Sequence, residues 1–230
     1  MYKKIDDLNR LKRNGIKGIY KHWIYKSAID YNLVANYLQK ISFSIGDINK
    51  ELENNNLGRK EIVFIIVVVN WIKESYNGVL SKIKEKIKEQ FVSYYNNNEK
   101  LNKATKYFNA IRSYSVAHPM TTTRHKEYGF DGSFICVDLE IKGAFSLAFN
   151  LSFFDKNTKF YYLDYDGLHK DRNDSHKYFL TSYSEDYDRY EFFKYISFSL
   201  EDILDVARIY IDLLLKLDLF LSKIKRKDYK

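Results

Sequence analysis

With 230 residues, 45% of them apolar and 17% aromatic, the chain has material for a substantial hydrophobic core, and no Pro- or Ser-rich linker divides it; one domain over 1–230 is expected. A formal charge of +8 and a pI of about 9.2 favour polyanionic partners over acidic small substrates. The single cysteine, Cys136, excludes an internal disulfide, and the charged opening residues lack the apolar stretch of a secretory signal, so a reducing cytoplasm is expected.

Apolar residues recur at helical spacing over Ile19–Ile41 (Ile24, Ala28, Tyr31, Ala35, Leu38), and Asp47–Glu53 has the composition of a short second helix. Asn54–Gly58 reads as a loop. The next segment repeats Ile62, Ile65, Ile66, Val69 and Ile72, which fits a buried helix, although its β-branched content also permits a strand. Its most apolar run, Ile62 to Val69, is flanked by charge and falls short of the about 20 residues of a membrane span, so it is read as a core element and no membrane partner is expected. Val79–Phe91 continues the helical pattern, Asn96–Asn98 interrupts it, and Glu99 opens another helix. Two basic runs, Ser81–Glu89 and Lys223–Lys230, fit either a solvated face or a binding patch.

After Pro119 the period changes to two. Val137, Leu139 and Ile141 alternate with Asp138 and Glu140, and Phe145 to Phe153 is apolar at every second residue. Asp155–Thr158 reads as a turn into a strand over Lys159–Asp166, with further strands at Lys177–Ser184 and Glu191–Phe198. Ser199 and Asp202 resemble a helix cap opening a last helix through Leu221. The expected fold is mostly α (α+β): a helical core over about 19–118 and 199–222, with a β-rich, mostly antiparallel insertion over about 134–198.

The chemistry-bearing stretch is Phe108-Asn-Ala-Ile-Arg112-Ser-Tyr-Ser-Val-Ala-His118-Pro119. Leu101, Ala104, Phe108 and Ile111 form an apolar stripe, with Arg112 and His118 on its two shoulders in an ideal helix. Six residues of regular helix separate those side chains by about 9 Å and roughly 120°, so they meet only if the helix ends before Pro119 or a second copy of the chain supplies the partner. Arg112 offers a permanently charged fork of donors for phosphate oxygens, and His118 a group able to move protons near neutrality. The following loop, Thr121–Asp131, adds Arg124, His125 and Lys126 as candidate substrate contacts. No paired cysteines, i, i+4 histidines or phosphate-cradling glycine motif accompanies them, so neither metal nor cofactor is expected. Tyr114 and Tyr128 fit packing as well as base stacking.

Arg-Ser-Tyr-Ser-Val-Ala-His-Pro at 112–119 resembles the R-x(4–6)-H signature of HEPN proteins. The resemblance implies a HEPN-like helical bundle, a homodimer, and metal-independent endoribonuclease activity on RNA in toxin–antitoxin or antiviral-defence settings, with an antitoxin or defence protein as partner. It assigns catalysis to Arg112 and His118 and sets Ser113 beside them. The chain departs from the pattern in carrying Ser113 where many active members have Asn, Asp or His, and Met120 where one subgroup carries a modifiable Tyr. A non-catalytic RNA-binding or protein-interaction module of the same fold is the alternative.

Overall fold

The computed structural model describes residues 2–6, 17–54, 56–95, 99–117, 120–122, 134–141, 159–170, 178–184 and 193–229. Among these, five α-helices dominate: α1 (Ala28–Glu51), α2 (Arg59–Lys82), α3 (Glu85–Tyr95), α4 (Glu99–Arg112) and α5 (Leu200–Lys223). Between α4 and α5 lie a π-helical turn (Ser113–Ala117) and six strands: β1 (Met120–Thr122), β2 (Phe134–Ile141), β3 (Lys159–Asp164), β4 (Gly167–Lys170), β5 (Tyr178–Ser184) and β6 (Phe193–Phe198). The mostly helical α+β arrangement, with strands inserted before a last helix, is thus present. Chain contacts divide it into two compact units, one of 1–55, 68–101 and 204–230, the other of 56–67 and 102–203.

In the first unit, α1 is one continuous helix, where the sequence suggested two. Its buried stripe is Val34, Leu38, Ile41, Ile45 and Ile48 at steps of three and four. Ala28 and Ala35, counted in the expected stripe, are exposed, and Ile24 belongs to a short 3-10 turn (His22–Ile24) ahead of the helix. Ser27 sets the start: its hydroxyl accepts from Asp30 N at 3.1 Å and donates to the Asp30 carboxylate at 2.7 Å. That hydroxyl, and Lys82 at 3.3 Å, hold the Asp30 carboxyl below the usual carboxylate range. A depressed folded value means this contribution is complete above the unfolded value and lost as pH falls through the folded one. Asp30→Asn should therefore flatten the acid limb of a melting-temperature-against-pH profile while leaving its alkaline side unchanged; identical acid limbs in the two proteins would refute the assignment.

α2 is helical throughout, with Ile62, Ile65, Ile66, Val68, Val69, Ile72 and Val79 fully buried. At 24 residues it extends far beyond the apolar run seen in sequence, and it is the one described helix long and apolar enough to cross a membrane. A little over half of its most apolar stretch is buried inside the protein, the pattern of a core helix. The break at Ile83–Lys84 was not legible from periodicity. There the segment before α1 adds a strand-like contact: Lys26 N bonds Lys82 O, Lys84 N bonds Ile24 O, and Tyr25 bridges Ile83.

That same segment, residues 17–25, is clamped to α5. Asp218, buried, accepts from Ile19 N at 2.8 Å and from Lys17 N at 3.3 Å. The Lys21 ammonium donates to the carbonyls of Leu221, Ser222 and Ile224 at 2.7 to 3.0 Å, closing the C-terminal end of α5 where orphan carbonyls and the helix dipole both favour a cation.

In the second unit the strand order is β1-β2-β5-β6-β3-β4. Every neighbouring pair is antiparallel except β3 and β6, which run parallel, so the sheet is mostly antiparallel, as expected, and the one parallel pairing was not foreseen. Alternation shows which residues share a face and is blind to strand direction. The register aligns Ile141, Tyr178, Phe198 and Leu163 across four strands, and Leu139, Leu180, Ile196 and Tyr161 beside them. Of these, Leu163, Tyr178, Leu180, Ile196 and Phe198 are buried, with the Tyr178 and Phe198 rings stacked.

The expected strand Lys159–Asp166 ends at Asp164, and the chain turns into β4. The Asp164 carboxylate accepts from Asp166 N at 2.7 Å and Gly167 N at 3.2 Å, and Gly167 adopts φ 125°, a left-handed conformation that glycine alone takes without strain. The alternating run Phe145–Phe153 and the Asp155–Thr158 turn lie outside the described residues. Ser199 caps α5 as expected, its hydroxyl accepting from Asp202 N at 3.4 Å.

Candidate functional site

The stripe read from sequence on α4 is buried throughout: Leu101, Ala104, Phe108 and Ile111, joined by Tyr107 and Ala110. Within the second unit, Tyr107 anchors the helix. Its ring meets Tyr165 edge-on at 5.1 Å, and its hydroxyl donates to Ser199 O at 3.4 Å. Burial, reinforced by the nearby Asp202 charge, raises the Tyr107 phenol well above its ordinary value, so it stays neutral. Tyr162 and Tyr165 donate to the Asp202 carboxylate and carbonyl at 3.1 and 2.8 Å, and Lys103 pairs with Asp166 at 2.8 Å. These contacts tie α4 to β3, to the turn after it and to the first turn of α5.

Arg112 ends α4 as a half-buried residue, the shoulder position expected of it. Its Nε is fully buried and has no hydrogen-bond partner among the described residues. Leaving such a donor unsatisfied costs about 1–3 kcal/mol, more for a charged group.

Immediately after Arg112 the backbone departs from the ideal helix assumed for the sequence geometry. Ser113–Ala117 winds as a π turn, whose wider i→i+5 hydrogen bonding alters the angular step between successive side chains. The separation and angle reckoned for a regular helix over 112–118 therefore do not apply. The π turn itself was missed in sequence. Its local signal is Ser115, whose hydroxyl donates back to Ile111 O at 2.6 Å and so competes for a carbonyl of the regular ladder. Ser113, the first residue of the turn, is buried.

β2 packs against the π turn, and β1 pairs with β2 through Met120 opposite Cys136 and Thr122 opposite Phe134. The structure thus fixes Arg112 and Ser113 at one end of the motif and Met120 at the other. His118, Arg124, His125 and Lys126 lie outside the described residues, as do Tyr128 and the Tyr114 side chain. Among the described residues, no three His, Cys, Asp or Glu side chains gather as a metal set. His169, exposed on β4, hydrogen-bonds Asp164 at 3.0 Å in the β3–β4 turn. No family model, curated protein or solved structure matches the chain.

Proposed function

We propose that the chain is a metal-independent endoribonuclease of the HEPN type, a cytoplasmic homodimer acting as a toxin or phage-defence effector. Arg112 and His118 are its catalytic pair, and Ser113, Arg124, His125 and Lys126 contact the RNA. The observation that carries this reading is the Arg112 guanidinium, placed at the end of a well-anchored helix with a buried Nε that no described residue satisfies. A π turn directly after it adds support, because such turns are rare and concentrate at functional sites. In the proposed reaction His118 takes the proton of a ribose 2′-hydroxyl, whose oxygen attacks the adjacent phosphorus. The P–O5′ bond then breaks as the 5′-oxygen takes a proton from solvent water, and Arg112 stabilises charge on the phosphoryl oxygens. The products are a 2′,3′-cyclic phosphate and a 5′-hydroxyl.

One observation favours the non-catalytic alternative. Ser113, the residue set to orient the pair, is buried and shorter than the Asn, Asp or His found in many active members of the resembled family. Incubation with total RNA in EDTA distinguishes the two. Cleavage with cyclic-phosphate ends is expected, whereas RNA that is bound and never cut would replace the enzyme with a binding module.

A further inference from the structure

The two basic runs that the sequence left open are brought to the same end of the first unit. Residues 17–27 join them. Ile24 O accepts from Lys84 N at 2.9 Å at the start of α3, and Lys21 holds the last carbonyls of α5. The 3-10 turn Arg226–Tyr229 completes the cluster: the Tyr229 ring lies 6.2 Å from Trp23, and its hydroxyl bonds Gln90 on α3.

Lys84, Lys86, Lys225, Arg226 and Lys227 are exposed there, and none pairs with a carboxylate among the described residues. The local acids do not balance them. Glu85 is taken by Lys88 at 2.5 Å, which leaves Glu89 and Asp228. Aromatic rings stand among the cations: Trp23 half-exposed with the Lys21 ammonium 6.0 Å from its centre, Tyr20 and Tyr94 exposed, and His22 stacked on Tyr31 at 3.7 Å. A solvated helix face needs neither unpaired cations at this density nor exposed rings beside them. A strand of nucleic acid uses both, the cations for its phosphates and the rings for its unstacked bases.

We propose that this surface binds single-stranded nucleic acid, as a site separate from Arg112. That the strand is RNA, held for cleavage, rests on the ribonuclease reading; the surface itself does not.

The test uses the full chain and a fluorescein-labelled single-stranded RNA oligonucleotide, with anisotropy followed across a salt series. Lys225→Glu/Arg226→Glu/Lys227→Glu should weaken binding about tenfold or more and lower the slope of log affinity against log salt by about 2, at roughly 0.7 per phosphate contact. Lys84→Glu/Lys86→Glu, on the other run, should act in the same direction, which protects the result should either variant fold poorly by circular dichroism. Lys50→Glu, a charge reversal at an exposed lysine of α1 outside the cluster, should leave affinity within about twofold. Unchanged affinity and salt slope in both charge-reversed proteins would overturn the proposal, as would loss of binding to phosphatidylserine vesicles with oligonucleotide binding intact, which would assign the surface to a membrane. A wild type that binds but never cuts, with binding lost in the reversed proteins, removes the nuclease and keeps this surface. Cutting and binding both indifferent to the reversals do the opposite.

Discussion

Replacing His118 by Ala should lower the rate of RNA cleavage by about 10²–10⁴-fold, the range a single positioned acid–base group contributes. Substrate affinity should change little, because neutral imidazole adds almost nothing to phosphate binding. Arg112→Ala should show the complementary loss, and Arg112→Lys should recover only part of it, since an ammonium keeps the charge but not the planar fork that spans two phosphate oxygens. Melting temperatures within about 2 °C of wild type would show that the losses are chemical. Cleavage persisting in a cleanly purified His118→Ala protein would remove the proposed mechanism whatever the fate of the fold.

Gly18→Ala should be the most destabilising of the glycine-to-alanine changes among the described residues. A Cβ there would stand 2.2 Å from Asp218 O, 2.5 Å from Ser222 N and 2.8 Å from Leu221 Cβ. Two of these are backbone atoms of α5, which cannot rotate aside, so the 17–25 segment must lift. Lifting it strips Ile19 of its burial and Asp218 of its backbone donors. About 3 kcal/mol follows, or roughly 6–12 °C in melting temperature for a protein of this size. Gly78 is the useful control: the three atoms nearest its added Cβ, at 2.7 to 2.9 Å, all belong to the Tyr37 ring, and a ring can turn. If Gly18→Ala melts no lower than Gly78→Ala, the clamp is not holding this unit together.

Helices with an uninterrupted stripe were legible, as Ile62 to Val79 on α2 and Leu101 to Ile111 on α4 show, because burial on one side leaves a period in the sequence. What escaped was set by partners remote in the chain. The break at Ile83 answers to Tyr25 and Ile24, and the parallel pairing of β3 with β6 to the route taken between them. Gly46, which lies between the two helices expected over Ile19–Ile41 and Asp47–Glu53, is helical with open space where a Cβ would be, so it interrupts nothing. At the candidate site, helical spacing marked Arg112 as a shoulder residue of the α4 stripe, and it ends α4 half-buried. The π turn escaped because Ser113–Ala117 differs from ordinary helix by where its hydrogen bonds close, and the one local sign of that, the Ser115 hydroxyl, is a residue type equally common in ordinary helix ends and turns.

The partners of Lys17, Ile19 and Lys21 on α5 arrive some 200 residues later in the chain. On a ribosome, those early residues emerge long before their acceptors exist, so the first unit stays open until α5 has been released from the exit tunnel. A translation product interrupted before α5 therefore leaves that unit unclosed.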